Sequence, residues 1–136
     1  MISLQQYSSY AQIWPLTSAE TALDPGHYHC LGVVTITSAG HLTLLRADLE
    51  ISHSTDVTQQ SVVTDDRYGP VFVALYPGLT PSTPLWSLTT DIGSHSRSPG
   101  FGITVTNPGT YSIFVKNNTN RFALSYGFDA TWDVRV

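Results

Sequence analysis

Apolar and polar residues alternate along most of the chain, at the two-residue period of a strand with one buried face. In "HYHCLGVVTIT", Tyr28, Cys30, Gly32, Val34 and Ile36 fall on one face. His27, His29, Leu31, Val33 and Thr35 fall on the other. After "SAG" comes "HLTLLRADLEI", where the apolar phase moves from Leu42 and Leu44 to Leu45, Ala47, Leu49 and Ile51. A strand cannot change phase without an extra residue, so a β-bulge is predicted near Leu44–Leu45. The polar run "SHSTDVTQQSVVTDDRYG" reads as a loop or a weak edge strand. "PVFVALY" is apolar on both faces, as a central strand is, and "PGLTPSTP" ends it with three prolines.

Shorter alternating runs follow: "LWSLTTDI", "FGITVT", "TYSIFVK", "RFALSYGF" and "ATWDVRV", with "NNTN" read as a hairpin connection. The total is about eight or nine short strands, punctuated by turn residues at sandwich-like spacing. The one helix candidate is "TSAETAL", where Thr17 and Glu20 have capping-box spacing and Pro25-Gly26 stops anything longer. The pattern predicts an all-β protein, an antiparallel β-sandwich or jelly roll with little or no helix. Residues 10–136 form a single domain in this reading, and residues 1–9 form a flexible N-terminal arm.

One phrase occurs twice. "DPGHY" ends at Tyr28 and "NPGTY" ends at Tyr111. Pro fixes φ, Gly supplies the positive φ of a type II turn, and the tyrosine opens the strand. Both tyrosines are therefore expected at structural corners, each with its hydroxyl bonded back to upstream backbone. "VFVALYPG", "FGITVTNPGTYSIFV" and "RFALSY", within residues 71–126, resemble the second half of the pre-peptidase C-terminal type of secreted bacterial β-sandwich. That resemblance implies an accessory module beside an enzyme, implicated in substrate or matrix binding and in secretion. The acidic residues that the family often places before the equivalent strand are absent from Val71 to Tyr76, so no metal ligands are carried over.

Composition narrows the function classes. At 136 residues the chain is long enough to bury a core, and only 12% of it is charged. The formal charge is −4, the arginines are scattered and Lys116 is the sole lysine. A nucleic-acid partner, which needs clustered Lys and Arg, is not expected. No stretch of about 18 apolar residues suggests a membrane span. The start "MISLQQYSSYAQIW" has no signal-peptide pattern, yet the Ser/Thr-rich composition suggests an extracellular or particle-associated setting. One cysteine, Cys30, gives no internal disulfide framework.

Candidate chemistry is sparse. His27 and His29 share a strand face and could supply two ligands to a transition metal, with His41, His53 or His95 converging; solvent-facing histidines are the competing reading. Asp65-Asp66, with Asp56 upstream, lacks the spacing and the central glycine of a dedicated calcium loop, and reads as a solvated turn. Ser94 and His95 are neighbours without a G-x-S-x-G elbow, and Glu20 and Glu50 are the only glutamates, so no catalytic residues are assigned. Trp14, Tyr68, Tyr76 and Phe114 are the candidates for an aromatic ligand-binding surface. The leading expectation is a non-enzymatic extracellular binding or adhesion module that recognises a glycan or a protein surface and needs no cofactor. The alternatives are a self-assembling structural subunit, a trimeric or larger homo-oligomer of capsid, fibre or appendage type, and a small metal-dependent enzyme using His27 and His29.

Overall fold

Runs that alternate in the sequence alternate in burial. The structure, a computed structural model, describes residues 2–4, 11–38, 40–98 and 103–135; of these, 2–4, 11–21, His95, Arg97, Ser98 and Arg135 are described through their backbone only. The described residues form ten strands: β1 (Ile2–Leu4), β2 (Ala11–Leu23), β3 (Tyr28–Ile36), β4 (His41–Asp56), β5 (Val71–Pro77), β6 (Trp86–Thr90), β7 (His95–Ser98), β8 (Thr104–Val105), β9 (Gly109–Asn117) and β10 (Phe122–Arg135). The eight longer ones make the sandwich that the pattern predicts. The first sheet has the order β1-β3-β9-β5-β6; the second has β2-β10-β4-β7, with β8 also on β4.

The order has a simple origin. Among the long strands the first pairs with the last (β2 with β10), the second with the seventh (β3 with β9), the third with the sixth (β4 with β7) and the two middle ones with each other (β5 with β6). An antiparallel ribbon nested in this way and rolled on itself is a jelly roll. Among the described residues the one parallel pairing is that of β1 along β3, with Ile2–Leu4 opposite Gly32–Val34. Most connections therefore cross from one sheet to the other.

The core lies between the sheets. Val34, Ile36, Val73, Leu75, Ile113 and Val115 of the first face Leu42, Leu49, Tyr126, Phe128, Trp132 and Val134 of the second. Trp86 and Trp132 meet edge to face across the gap, 5.8 Å apart at 85°. The predicted bulge lies at Leu45: Thr131 pairs with Arg46 and Trp132 with Leu44, and burial resumes at Ala47. That one extra residue keeps both halves of a sixteen-residue strand facing the core.

Three expectations change. A bulge between Cys30 and Gly32 breaks the even alternation expected for β3. Leu31, Val34 and Ile36 turn inward, while Tyr28 and Cys30 lie opposite Lys116 and Phe114 on the outer face. The helix candidate "TSAETAL" is strand, because Thr17 to Leu23 pair with Leu124 to Asp129 of β10, with one irregularity, and a ladder partner overrides local propensity. "NNTN" is not a hairpin: β9 and β10 belong to different sheets, and the segment is an arch between them. The arch is built on Asn117, which is fully buried. Its amide donates to Leu23 O (2.8 Å) and Phe122 O (2.6 Å), and its oxygen accepts from the Thr119 backbone N–H and hydroxyl. Asn117-Asn118-Thr119 is formally a glycosylation sequon, and a glycan on the fully buried Asn117 has no room in this fold.

Candidate functional site

The sandwich has two outer faces, and they differ in kind. On the second sheet, positions alternating with the core include Arg46, Glu50, Asp129 and Asp133, with Arg46–Asp129 paired at 2.5 Å and His41–Asp133 at 3.2 Å. On the first sheet the outward positions are aromatic. Phe72, Ala74 and Tyr76 of β5 form a second apolar cluster with Tyr68 and Phe114, and the three β5 side chains are buried. A sheet face that faced water would not bury them. They are covered by the chain's own loop, residues 57–70.

The loop is held at several points. Val57 N–H bonds Arg121 O (3.0 Å) and Gln60 N–H bonds Asn120 O (2.5 Å). Asn118 does most of the anchoring: its amide donates to Asp65 O (2.8 Å) and Gly69 O (3.1 Å), and its side-chain oxygen accepts from Asp65 N–H (2.8 Å). Lys116, almost fully buried, donates from Nζ to Val63 O at 3.1 Å. Val62 packs on Gly26, whose φ of 75° sits in the turn closed by His27 N–H on Asp24 O; a β-carbon at Gly26 would lie 2.7 Å from that of Val62. The first Pro-Gly-x-Tyr phrase thus makes the predicted type II turn and also seats the loop.

Under the loop the rings interlock. Tyr68 lies 4.5 Å from Phe72 at 31°, Phe114 meets Tyr76 at 6.0 Å and 69°, and Tyr28 meets Phe114 at 6.0 Å and 89°. The Lys116 ammonium sits 5.1 Å over the Tyr28 ring, so a cation–π contact replaces some of the hydration it loses. Burial lowers the Lys116 pKa, and the Asp65 carboxylate partly restores it. Burial, then Asp65, raises the Tyr28 phenol; burial and the neighbouring phenols raise Tyr76 further. Both phenols are therefore protonated at neutral pH. With Tyr76 and Lys116 buried beneath the loop, what the face offers to a partner is its rim, Tyr28 (39% exposed) and Val63 (84% exposed).

Of the residues expected from sequence to recognise a ligand, Tyr68, Tyr76 and Phe114 come together here. Trp14 does not join them: its backbone is in β2 of the other sheet, opposite Trp132, and its side chain lies outside the described residues. The two corner tyrosines part company. The Tyr111 hydroxyl donates to Asn107 O at 2.6 Å, a bond to upstream backbone, whereas Tyr28 belongs to the aromatic face. His27 is exposed in the turn before β3, while His29 is half-buried with Nδ1 3.2 Å from the Tyr126 hydroxyl. Among the described residues no group of three or more His, Cys, Asp or Glu is placed to hold a metal. Asp65 and Asp56 are each bound by an arginine, Arg67 and Arg121. Sequence reasoning missed Lys116 and Asn118; the available signal was a lone lysine inside an apolar strand.

Two consequences are measurable. Asn118→Ala is expected to lower the unfolding free energy by about 1–3 kcal/mol, since it strands backbone groups of the loop. It should also raise binding of a hydrophobic dye as Phe72 and Tyr76 become accessible; an unchanged dye signal would speak against the loop as a cover. The Arg67 guanidinium and the Arg67 N–H hold the Asp65 carboxyl down at about 2, below its ordinary value. A depressed carboxyl contributes stability above its unfolded pKa and loses it as pH falls through the folded one. Amide exchange at Asp65–Arg67 should therefore quicken as pH falls from about 4 to about 2, relative to the intrinsic rate. A transition near pH 6 instead would point to a histidine.

Comparison with protein-family models, with curated proteins and with solved structures gives no match, so function is read from the geometry of the chain itself.

Proposed function

We propose that the chain is a non-enzymatic binding or adhesion module that works outside the cell and recognises a glycan or a protein surface through the outer face of its first sheet. One observation carries this reading: Tyr28 and Val63 stand exposed at the rim of a packed cluster of Phe114, Tyr76 and Lys116, and that cluster and the pinned loop hold them in place. Rigid aromatic anchors of this type lose little entropy on binding, which is why they concentrate recognition energy. Among the described residues, the outer face of the second sheet presents ion pairs such as Arg46–Asp129 and His41–Asp133 and no aromatic anchor of this kind. The resemblance of residues 71–126 to secreted accessory modules fits the same reading, since that segment supplies β5 and β9, the strands that carry most of the face.

The test is retention on a panel of immobilised glycans and extracellular matrix proteins, comparing the wild type with Tyr28→Ala and with Leu79→Ala. Leu79 is 63% exposed and serves as the control. Tyr28→Ala is expected to weaken the retained interaction about tenfold or more, with Leu79→Ala unchanged. Equal retention of all three proteins would remove the face from consideration.

A self-assembling subunit is the second reading, and β1 favours it. A three-residue strand laid parallel on the edge of β3 can equally be donated to a neighbouring copy. Light scattering at two concentrations, with a reductant control for Cys30, separates the two. A monomer that is unaffected by deletion of residues 1–9 supports the binding module, and a stable trimer lost on that deletion supports assembly.

A further inference from the structure

Between the cover loop and the β9–β10 arch lies a cleft of about 320 Å³, lined by Thr64, Asp66, Tyr68, Pro70, Asn118 and Thr119. Its volume is at the lower end of the small-molecule range of about 300–1,000 Å³, room for one ring rather than an extended chain. The walls are preformed. Asn118 is committed to the loop backbone, the Thr119 hydroxyl donates to Asn117 Oδ1 and accepts from Phe122 N–H, and Tyr68 is packed on Phe72. Gly69 is pressed so closely against Thr89 that a β-carbon there would sit 2.3 Å from its methyl group.

Two polar side chains remain uncommitted in this fixed setting. The Asp66 carboxylate and the Thr64 hydroxyl are exposed and make no hydrogen bond or ion pair with the described residues. Asp65, the next residue, is by contrast bound by Arg67 through both carboxylate oxygens. The cleft thus presents one strong acceptor pair and one hydroxyl beside Pro70 and Tyr68, the Tyr68 ring being packed on Phe72 with the Arg67 guanidinium 5.5 Å from its centroid.

We infer that this cleft binds a single neutral or amino sugar ring, with Asp66 accepting hydrogen bonds from ring hydroxyls and the C–H face of the ring against Pro70, beside Tyr68. The inference rests on the recognition reading above and names its ligand class. An ionised carboxylate is a strong acceptor for hydroxyl donors, and a pre-ordered wall spares the ligand the cost of ordering it. Acidic ligands are opposed by the same carboxylate. Calcium is disfavoured because Asp65 and Asp56 are held by arginines, which leaves Asp66 as the one uncommitted carboxylate in the cleft.

The test is a ¹⁵N amide titration of the whole chain with galactose, mannose, N-acetylglucosamine and glucosamine. Glucuronic acid and ethanolamine serve as controls. At least one neutral or amino sugar should shift the amides of Thr64–Gly69 and Asn118–Thr119 saturably. Asp66→Asn, at an exposed and unpartnered position, should keep the remaining spectrum and raise Kd about tenfold or more. Both controls should leave these amides unmoved. Ethanolamine acting as well as the sugars would overturn the inference, because the site would then be a generic cation contact. Sugar shifts that map to Tyr28 and Phe114, or that survive Asp66→Asn unchanged, would also overturn it while leaving the recognition face intact. Silence from all four sugars would overturn the saccharide assignment, and the Tyr28→Ala retention test would still decide the recognition reading separately.

Discussion

Trp132→Ala is expected to be the most damaging single truncation, lowering the unfolding free energy by about 3–5 kcal/mol. Trp132 is fully buried in the middle of β10 and is among the largest side chains in the core. Its ring meets Trp86 of the opposite sheet edge to face, so its loss opens a cavity at the seam and removes an aromatic contact as well. The indole N–H has no hydrogen-bond partner among the described residues, so the cost is one of packing. Trp132→Phe should accordingly recover much of the loss. Urea unfolding of the two variants tests this: a cost below about 1 kcal/mol for alanine would mean that the sheets do not meet where described.

Asn117→Ala follows, at about 2–4 kcal/mol, and for a different reason. One side chain bonds Leu23 O at the end of β2 and Phe122 O at the start of β10, and it also fixes Thr119. The backbone at Asn117 adds to this: Asn117 N–H bonds His27 O and Gly26 N–H bonds Asn117 O. Removing the amide takes the side-chain donor from Leu23 O and leaves Phe122 O only the Thr119 hydroxyl at 3.2 Å, in a site where Asn117 has no exposure to water. Asn117→Asp keeps the shape but loses both donors and buries a charge, so it should be at least as harmful at neutral pH as alanine. If aspartate were tolerated at pH 7 while alanine was not, the hydrogen bonds assigned to the amide would be wrong.

The fold was legible wherever the side-chain period carried it. The phase shift after Leu44 could be read because it moves a whole set of large apolar residues from one face to the other, and only a bulge restores them. The bulge in β3 was less legible, since Gly32 and the mixed sizes around it leave no clear phase to break. A glycine inside a strand was nevertheless the available hint. Apolar character on both faces of "VFVALY" correctly indicated an inner strand. What covers its outer face could not be read, because the loop is held by Asn118 and Lys116 from about fifty residues further along the chain, largely through backbone carbonyls that have no sequence signature. For the same reason Tyr68, Tyr76 and Phe114 could be named as candidates but not brought together. Tyr28 was read as a corner residue because its Pro-Gly-x-Tyr phrase matches that of Tyr111, although only Tyr111 makes the corner bond.

Amide deuterium exchange of the chain, with and without the ligand it retains, locates the recognition surface directly. Slowed exchange confined to residues 57–70, 26–30 and 112–118 is the expected footprint, because these segments form the loop, its seat and the strand beneath it. Slowed exchange on the outer positions of β4 and β10 instead, with residues 57–70 unchanged, would contradict the assignment of function to the first sheet.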